Sequence, residues 1–272
     1  MFYSKSLRAA PSLCLFLVLA MVDVISVDGL QNLIPKNLFA SLGPGNNNRG
    51  SSAASTKILE DDLIKTIGEL GDANRLSSNN RIQELVTELE TTPSISQPAI
   101  SPSIYGRWRL LHTNNANTAS PIQRKAVSSG AFPIYQDIIV NDAGQLIVSQ
   151  VVKFNEKAEL KVDALASTSA YPLEELTKRK GDGKLLGLNI LGVSVVGEEA
   201  LEDESRPDSR VDFVFDEGKF EFGSDFSIPY PVPFRLPILR DAVKGWIDVT
   251  YLSDKVRISR GNKGTTFILL KE

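Results

Sequence analysis

At Tyr105 the spacing of the apolar residues changes from helical to twofold, and no other feature narrows the fold as much. Upstream, Ile58, Leu59, Leu63, Ile64, Ile67 and Leu70 recur at helical spacing, as do Ile82, Leu85, Val86 and Leu89. The spacing predicts helices over 58–70 and 80–91, the first stopped near Gly71 and the second by Pro93. A Pro- and Ser-rich stretch, Thr92–Ser103, links them to the strand-forming part of the chain. Downstream, alternating runs predict strands at Tyr105–Thr113, Ile134–Val140, Gln145–Phe154, Glu159–Leu165, Val211–Phe215, Lys219–Phe222, Trp246–Leu252, Lys255–Arg260 and Thr265–Leu270. Many short strands with few helices imply a mostly β fold, an antiparallel sandwich or barrel.

The last two of these strands show the alternation most clearly. Val256 and Ile258 point to one face and Arg257 and Ser259 to the other. Gly261 and Gly264 bracket Asn262 and Lys263, residues that tolerate the positive φ of a hairpin.

Three stretches interrupt the strand pattern. Leu173–Lys180 suits a short helix or a loop, and Gly183–Gly197 is apolar but broken by glycines. Glu198–Asp208 carries five acidic residues before Asp208 and reads as a solvated loop, because packed like charges repel. The third, FSIPYPVPFRLPIL, carries Pro229, Pro231, Pro233 and Pro237, which exclude a central strand. Its apolar residues either dip into a lipid monolayer or pack across the barrel.

The N-terminus reads as an address. Lys5 and Arg8 precede an apolar run, Leu13–Val22, too short to span a membrane, so residues 1–29 read as a signal peptide. Residues 30–56 contain basic residues, no Asp or Glu, and many Asn, Ser and Gly, a composition that suits a transit peptide. Together they suit the two-part address of a plastid of secondary origin, the alternative being an ordinary secreted protein with a disordered arm; either way residues 57–272 are expected to form one folded domain. The only cysteine, Cys14, lies in the signal, and no Asn-x-Ser/Thr acceptor occurs.

Several functions are poorly supported. The formal charge is −3, and removal of residues 1–56 makes the chain more acidic, which argues against nucleic-acid binding. His112 is the single histidine and reads as a satisfied barrel residue beside Trp108 and Leu110. Gly181, Gly183 and Gly187 miss dinucleotide spacing, and GNKGTT inverts the order of a phosphate loop. No catalytic residue, cofactor or metal is expected.

Three blocks are more specific: GRWRLLHT (Gly106–Thr113), PIYQDI (Pro133–Ile138) and WIDVTYLSDKVRISRGNKGTTFILL (Trp246–Leu270). In this order and spacing they resemble the plastid lipid-associated protein or fibrillin family. The helix pair ending LETTP (Leu89–Pro93) fits the same pattern. His112, Gln150 and Ser253 depart from the residues usual there but keep a polar group in place. The resemblance implies a lipocalin-like antiparallel β-barrel with two N-terminal helices, located at thylakoids, plastoglobules or stroma. It also implies partners: an apolar lipid, carotenoid or prenylquinone, and a membrane or lipid-droplet surface.

The ligand-binding candidates are Trp108, Gln136, Gln150, Asp248, Tyr251, Arg257 and Arg260. Barrel closure would bring the C-terminal strands beside Trp108. There Arg257 would latch onto an acid such as Asp248, orient a ligand oxygen at the mouth, or lie on the solvated surface. Two other functions remain open: a scaffold for a plastid prenyl-lipid biosynthetic enzyme, and a lipid- or carotenoid-modifying enzyme using Asp248 and His112.

Overall fold

A computed structural model describes residues 49–114, 125, 129–177, 189–190, 193–194, 204–224, 226–231, 233–240, 243–261 and 264–272. The proposed signal and transit segments therefore lie almost wholly outside the described residues, as do most of Gly183–Gly197 and the first half of the acidic run.

The architecture is mostly β. In chain order the strands are β1 (Gly106–Thr113), β2 (Ile134–Val140), β3 (Leu146–Asn155), β4 (Ala158–Ser167), a minor pair β5 (Asn189–Ile190) and β6 (Val193–Ser194), β7 (Arg210–Phe222), β8 (Phe226–Pro229), β9 (Lys244–Leu252), β10 (Val256–Gly261) and β11 (Thr266–Lys271). The main sheet runs β4-β3-β2-β1-β11-β10-β9-β7-β8, and β4 also pairs with β7. That last pairing, Ala158↔Phe222 through Ser167↔Asp212, closes eight strands into an antiparallel ring. Closure leaves only the short strand β8 with a free edge in the main sheet.

The ring has a continuous apolar interior. Alternate residues of its strands form one cluster that includes Trp108, Leu110, Ile138, Val152, Leu160, Val249 and Leu269. The helices α1 (Arg49–Leu70) and α2 (Asn80–Thr91) cover part of the outside instead. Their stripe of Leu63, Ile67, Ile82, Leu85, Val86 and Leu89 packs against Tyr251, Val256, Ile258 and Ile268. The side chain of Asn79 accepts the amide hydrogen of Ile82 at 3.1 Å and so caps α2.

Two irregularities set the direction of key side chains. In β9 the register steps from Ile258↔Tyr251 to Ser259↔Val249, leaving Thr250 as the extra residue of a bulge. Alternation therefore flips: Val249 and Leu252 join the interior while Tyr251 faces the helices. In β7 the step between Asp163 and Ala164 leaves Asp216 unpaired in the ladder. Asp216 then accepts from both Arg235, at 2.7 Å, and Arg240, at 3.2 Å.

The Pro-rich stretch divides between the two fates open to it. Its start is the exposed strand β8, paired on one side only, and Phe226, Ile228 and Leu236 are exposed. Tyr230 and Phe234, by contrast, are buried in the interior cluster and stack 6.1 Å apart. Gly218 makes room for them, since a Cβ there would lie 2.7 Å from the Cβ of Tyr230. Gly218 also explains why the two runs 211–215 and 219–222 form a single strand: the chain continues straight through a residue whose missing side chain a neighbour replaces.

Candidate functional site

The seven candidate residues separate into two groups on opposite surfaces of the sheet. Trp108, Gln136, Gln150 and Arg257 face the interior. Trp108 belongs to the interior cluster, while Gln136 and Gln150 share their strand faces with Ile134 and Ile138 and with Val148 and Val152, all members of it. Arg257 alternates with Val256 and Ile258, which pack against the helices, so its side chain turns inward. In register, Trp108 opposes Gln136 and Gln136 opposes Gln150, forming one row across β1, β2 and β3.

Arg257 is the most unusual residue of this group, because it is 0% exposed. It donates through Nη2 to Oε1 of Gln136, and its guanidinium lies 4.9 Å from the centroid of the Trp108 ring. Among the described residues Nε and Nη1 have no partner. Among the described residues no charged neighbour offsets the burial, which pushes the guanidinium down to about 9, still a cation at neutral pH. The hydroxyl of Ser259, one step along the same face, is also buried without a partner.

Trp108 is fixed from several sides. Its Nε1 donates to the carbonyl of Ile104 at 2.7 Å, in the short helical turn Pro102–Ile104. Lys271 Nζ lies 4.6 Å from the ring centroid and donates to the carbonyls of Ser103, at 2.7 Å, and Tyr105. Burial, followed by the nearby Arg257 charge, holds the Lys271 ammonium below its ordinary value. Two cations therefore share one indole face system, an arrangement favoured by the ring quadrupole but repulsive between the cations themselves.

Asp248, Tyr251 and Arg260 lie outside the ring. Asp248 accepts a two-pronged interaction from Arg210, at 2.7 and 2.9 Å, and the Arg210 guanidinium stacks 4.0 Å from the Trp246 ring centroid. The acid expected to latch Arg257 is thus engaged by a residue of β7. Arg260 pairs with Glu90 of α2. Tyr251 donates to Glu60 of α1 at 2.8 Å, and burial and that carboxylate push its phenol well above its ordinary range. These three residues fasten the helices and β7 to the sheet.

His112 is buried and its Nε2 lies 3.3 Å from the hydroxyl of Ser77, while burial holds its pKa below the ordinary imidazole value. His112 and Asp248 each have a partner other than one another, so the acid–base pair considered from sequence is not assembled here. Among the described residues no cluster of three or more His, Cys, Asp or Glu could hold a metal ion, and no helix is long and apolar enough to cross a membrane.

A recess of about 200 Å³ lies at one end of the ring between the β2–β3 turn and the segment after β4, lined by Gln145, Leu146, Ala166, Tyr171 and Leu173 among others. No local sequence pattern marks it. Its lining comes from two loops whose approach depends on ring closure.

The PAP_fibrillin family model matches residues 57–171 and 204–270. The chain belongs to this family. Its gap, 172–203, coincides with the stretch between β4 and β7 that carries the glycine-broken and acidic runs. The chain is 40% identical over 197 residues to the probable plastid-lipid-associated protein 12, chloroplastic, of Arabidopsis thaliana, covering 71% of this chain and 39% of that protein. It thus spans about two fifths of that relative's length. It is 25% identical over 232 residues to a light-induced protein, chloroplastic, of Solanum tuberosum, covering 79% of this chain and 66% of that one. It is also 28% identical over 215 residues to a chromoplast-specific carotenoid-associated protein of Cucumis sativus, covering 73% and 62%. No solved structure matches the chain.

Proposed function

We propose that this fibrillin is a non-catalytic plastid protein that binds or organises apolar lipids, carotenoids or prenylquinones at thylakoids or plastoglobules. Its relatives are named as chloroplastic or chromoplastic, and as lipid- or carotenoid-associated. Its location is the plastid. The observation that carries the binding reading is the closed sheet with an inward-facing set of polar groups, Arg257, Gln136 and Gln150 around Trp108, set in a mainly apolar interior. A few polar groups in an apolar enclosure can orient a ligand whose affinity comes mainly from buried apolar surface.

The exposed Phe222, Phe226, Ile228 and Leu236 support contact with a membrane or droplet surface. Phe222 and Phe226 lie opposite one another in the β7–β8 ladder, with ring centroids 5.8 Å apart. Residues 1–29 and 30–56 would act as signal and transit segments that deliver residues 57–272 to the plastid.

Lipid mass spectrometry of the protein isolated from its native plastid tests the binding reading. Carotenoid or prenylquinone in stoichiometric amount is expected, and a lipid-free preparation that also refuses these lipids on addition would overturn it. For the targeting segments, a reporter fused after residue 56 should reach the plastid, and deletion of residues 30–56 should strand it in the secretory route. Bulk secretion of the intact fusion would sink that assignment.

A further inference from the structure

We infer that the interior site selects an amphiphile with an anionic oxygen head, a long-chain carboxylate, held by Arg257, Gln136 and Gln150 above Trp108. The inference rests on the lipid-binding reading and specifies the ligand of that same site.

The charge balance of the interior is the first reason. Arg257 is a fully buried cation with two unpartnered nitrogens, and among the described residues no carboxylate pairs with it. Lys271 adds a second cation over the same indole. A buried charge without a counter-ion costs several kcal/mol. A neutral ligand oxygen would satisfy one missing hydrogen bond. A carboxylate would satisfy both free nitrogens in the planar geometry a guanidinium favours and would also neutralise the charge.

Access to the head site is the second reason. Gln136 and Gln150 sit mid-strand on the inward face, yet both remain only partly buried, whereas their same-face neighbours Ile138, Val148 and Val152 are buried. These two amides are thus the more accessible members of that face. Their row continues across β4 and β7 as Val162 and Gly218, where Tyr230 takes the place of the missing side chain.

The neighbouring row suits the tail. One step further along the strands the inward residues are Ile134, Val152, Leu160 and Phe220, paired in that order from β2 to β7, with no polar member. Beyond them Phe154 is only partly buried against the core. A head at Arg257 and Gln150 thus places an alkyl chain along an apolar row, where burial of its methylenes favours binding.

The test is a set of titrations of the full chain, read by tryptophan fluorescence and calorimetry, with laurate, 1-dodecanol and decylplastoquinone as probes. Laurate and dodecanol share a tail length and differ in head charge. Laurate is expected to bind at least about tenfold tighter than dodecanol, as a charge-assisted hydrogen bond implies. Arg257→Met should bring the two affinities together. Gln150→Leu, which leaves Arg257 in place, should weaken laurate several-fold and leave dodecanol unchanged. Equal affinities for laurate and dodecanol in the unaltered chain would overturn the inference whether or not the variants fold. Decylplastoquinone separates the two readings. If it binds without any preference for laurate over dodecanol, the lipid reading stands and this inference falls. If laurate is preferred and the quinone is refused, the inference stands and the prenylquinone assignment falls. If no probe binds, both are lost.

Discussion

Arg260 of β10 grips Glu90 of α2 through both carboxylate oxygens, at 2.8 and 2.7 Å, and the hydroxyl of Thr250 donates to the same carboxylate at 2.6 Å. Thr250 is the extra residue of the β9 bulge, so the irregularity that turns Tyr251 outward also supplies a hydrogen bond to the helix. Hydrogen bonding to Glu90 raises the affinity of the Arg260 guanidinium for its proton. The pair connects sheet to helix and lies outside the ring, which makes it a fastening and not a ligand contact.

A double-mutant cycle with Arg260→Gln and Glu90→Gln measures that fastening. Arg260 is 40% exposed, so screening limits its worth, and a coupling of about 1 kcal/mol in urea unfolding is expected. Laurate and quinone binding should be unchanged in the Arg260 variant. A loss of binding without loss of stability would return Arg260 to the site.

Much of this arrangement could be read from the sequence, and the parts that could not have a common cause. Val256 and Ile258 against Arg257 and Ser259 follow from twofold alternation, and the observed faces agree. The helical stripe Ile82, Leu85, Val86 and Leu89 is fully buried, as its spacing requires. The outward direction of Tyr251 was not legible, because the Thr250 bulge breaks the alternation on which the reading relies. Nor was the partner of Asp248: Arg210 opposes it only once the ring has set the register between β7 and β9, 38 residues apart in sequence. Local pattern gives faces, whereas pairing across the closed sheet is a tertiary outcome. Asn262 and Lys263, at the tip of the final hairpin, lie outside the described residues, although the backbone bonds from Gly261 to Thr265 and from Gly264 to Gly261 are present.

The Pro-rich stretch yields a contrast between two phenylalanines. Phe234 is 4% exposed and Phe226 is 59% exposed. Phe234→Ser should cost about 3–5 kcal/mol, as large-to-small changes of a core aromatic do. Phe226→Ser should change stability by less than about 0.5 kcal/mol, yet reduce flotation with lipid droplets, and combining it with Leu236→Ser should deepen that loss. Thermal melts and sucrose-gradient flotation of the variants check both halves. Undiminished flotation of the stable double variant would remove the exposed residues from any membrane contact.

His112 is the only histidine, so its proton is observed without assignment ambiguity. Burial holds its folded pKa below the unfolded value of about 6.5. The unfolded chain therefore takes up this proton first as the pH falls. The stability associated with neutral His112 is present above about pH 6.5 and declines below it. Urea midpoints at pH 7.5 and 5.5 should differ less in His112→Gln than in the unaltered chain. A histidine NMR signal that titrates at or above 6.5 in the folded protein would contradict this.

At the alkaline end the sign is opposite in origin. Tyr251 is pushed up by burial and by Glu60, and Tyr105 to about 12 by burial and its hydrogen bond with Tyr171. Both phenols stay neutral in the folded state after the unfolded chain has begun to ionise. Their contribution is complete below about pH 10 and is lost as the pH rises beyond it. Tyr251→Phe should cost about 1–3 kcal/mol at neutral pH, because the Glu60 carboxylate loses its buried donor, and should flatten the decline above pH 10. A variant as stable as the parent would mean that water serves Glu60 equally well.

Arg257 and Arg210 give the sharpest contrast in the molecule. Both arginines lie over an indole, Arg257 fully buried and Arg210 partly so, but Arg210 has Asp248 as a partner, and among the described residues Arg257 has no acid. Replacing Arg210 by Met strands the Asp248 carboxylate, 20% exposed, and should cost about 1–3 kcal/mol. Replacing Arg257 by Met strands no charge. It removes an uncompensated cation and leaves only the Gln136 amide oxygen without its donor. Apolar replacement of buried ionic groups is often neutral or stabilising, so Arg257→Met should melt at or above the parent temperature while Arg210→Met melts below it. A residue whose removal stabilises the fold is retained for another reason, and an anionic ligand head supplies one. If Arg257→Met proves the more destabilised of the two, Arg257 is a structural latch through Trp108 and Gln136, and the case for it as a ligand anchor is lost.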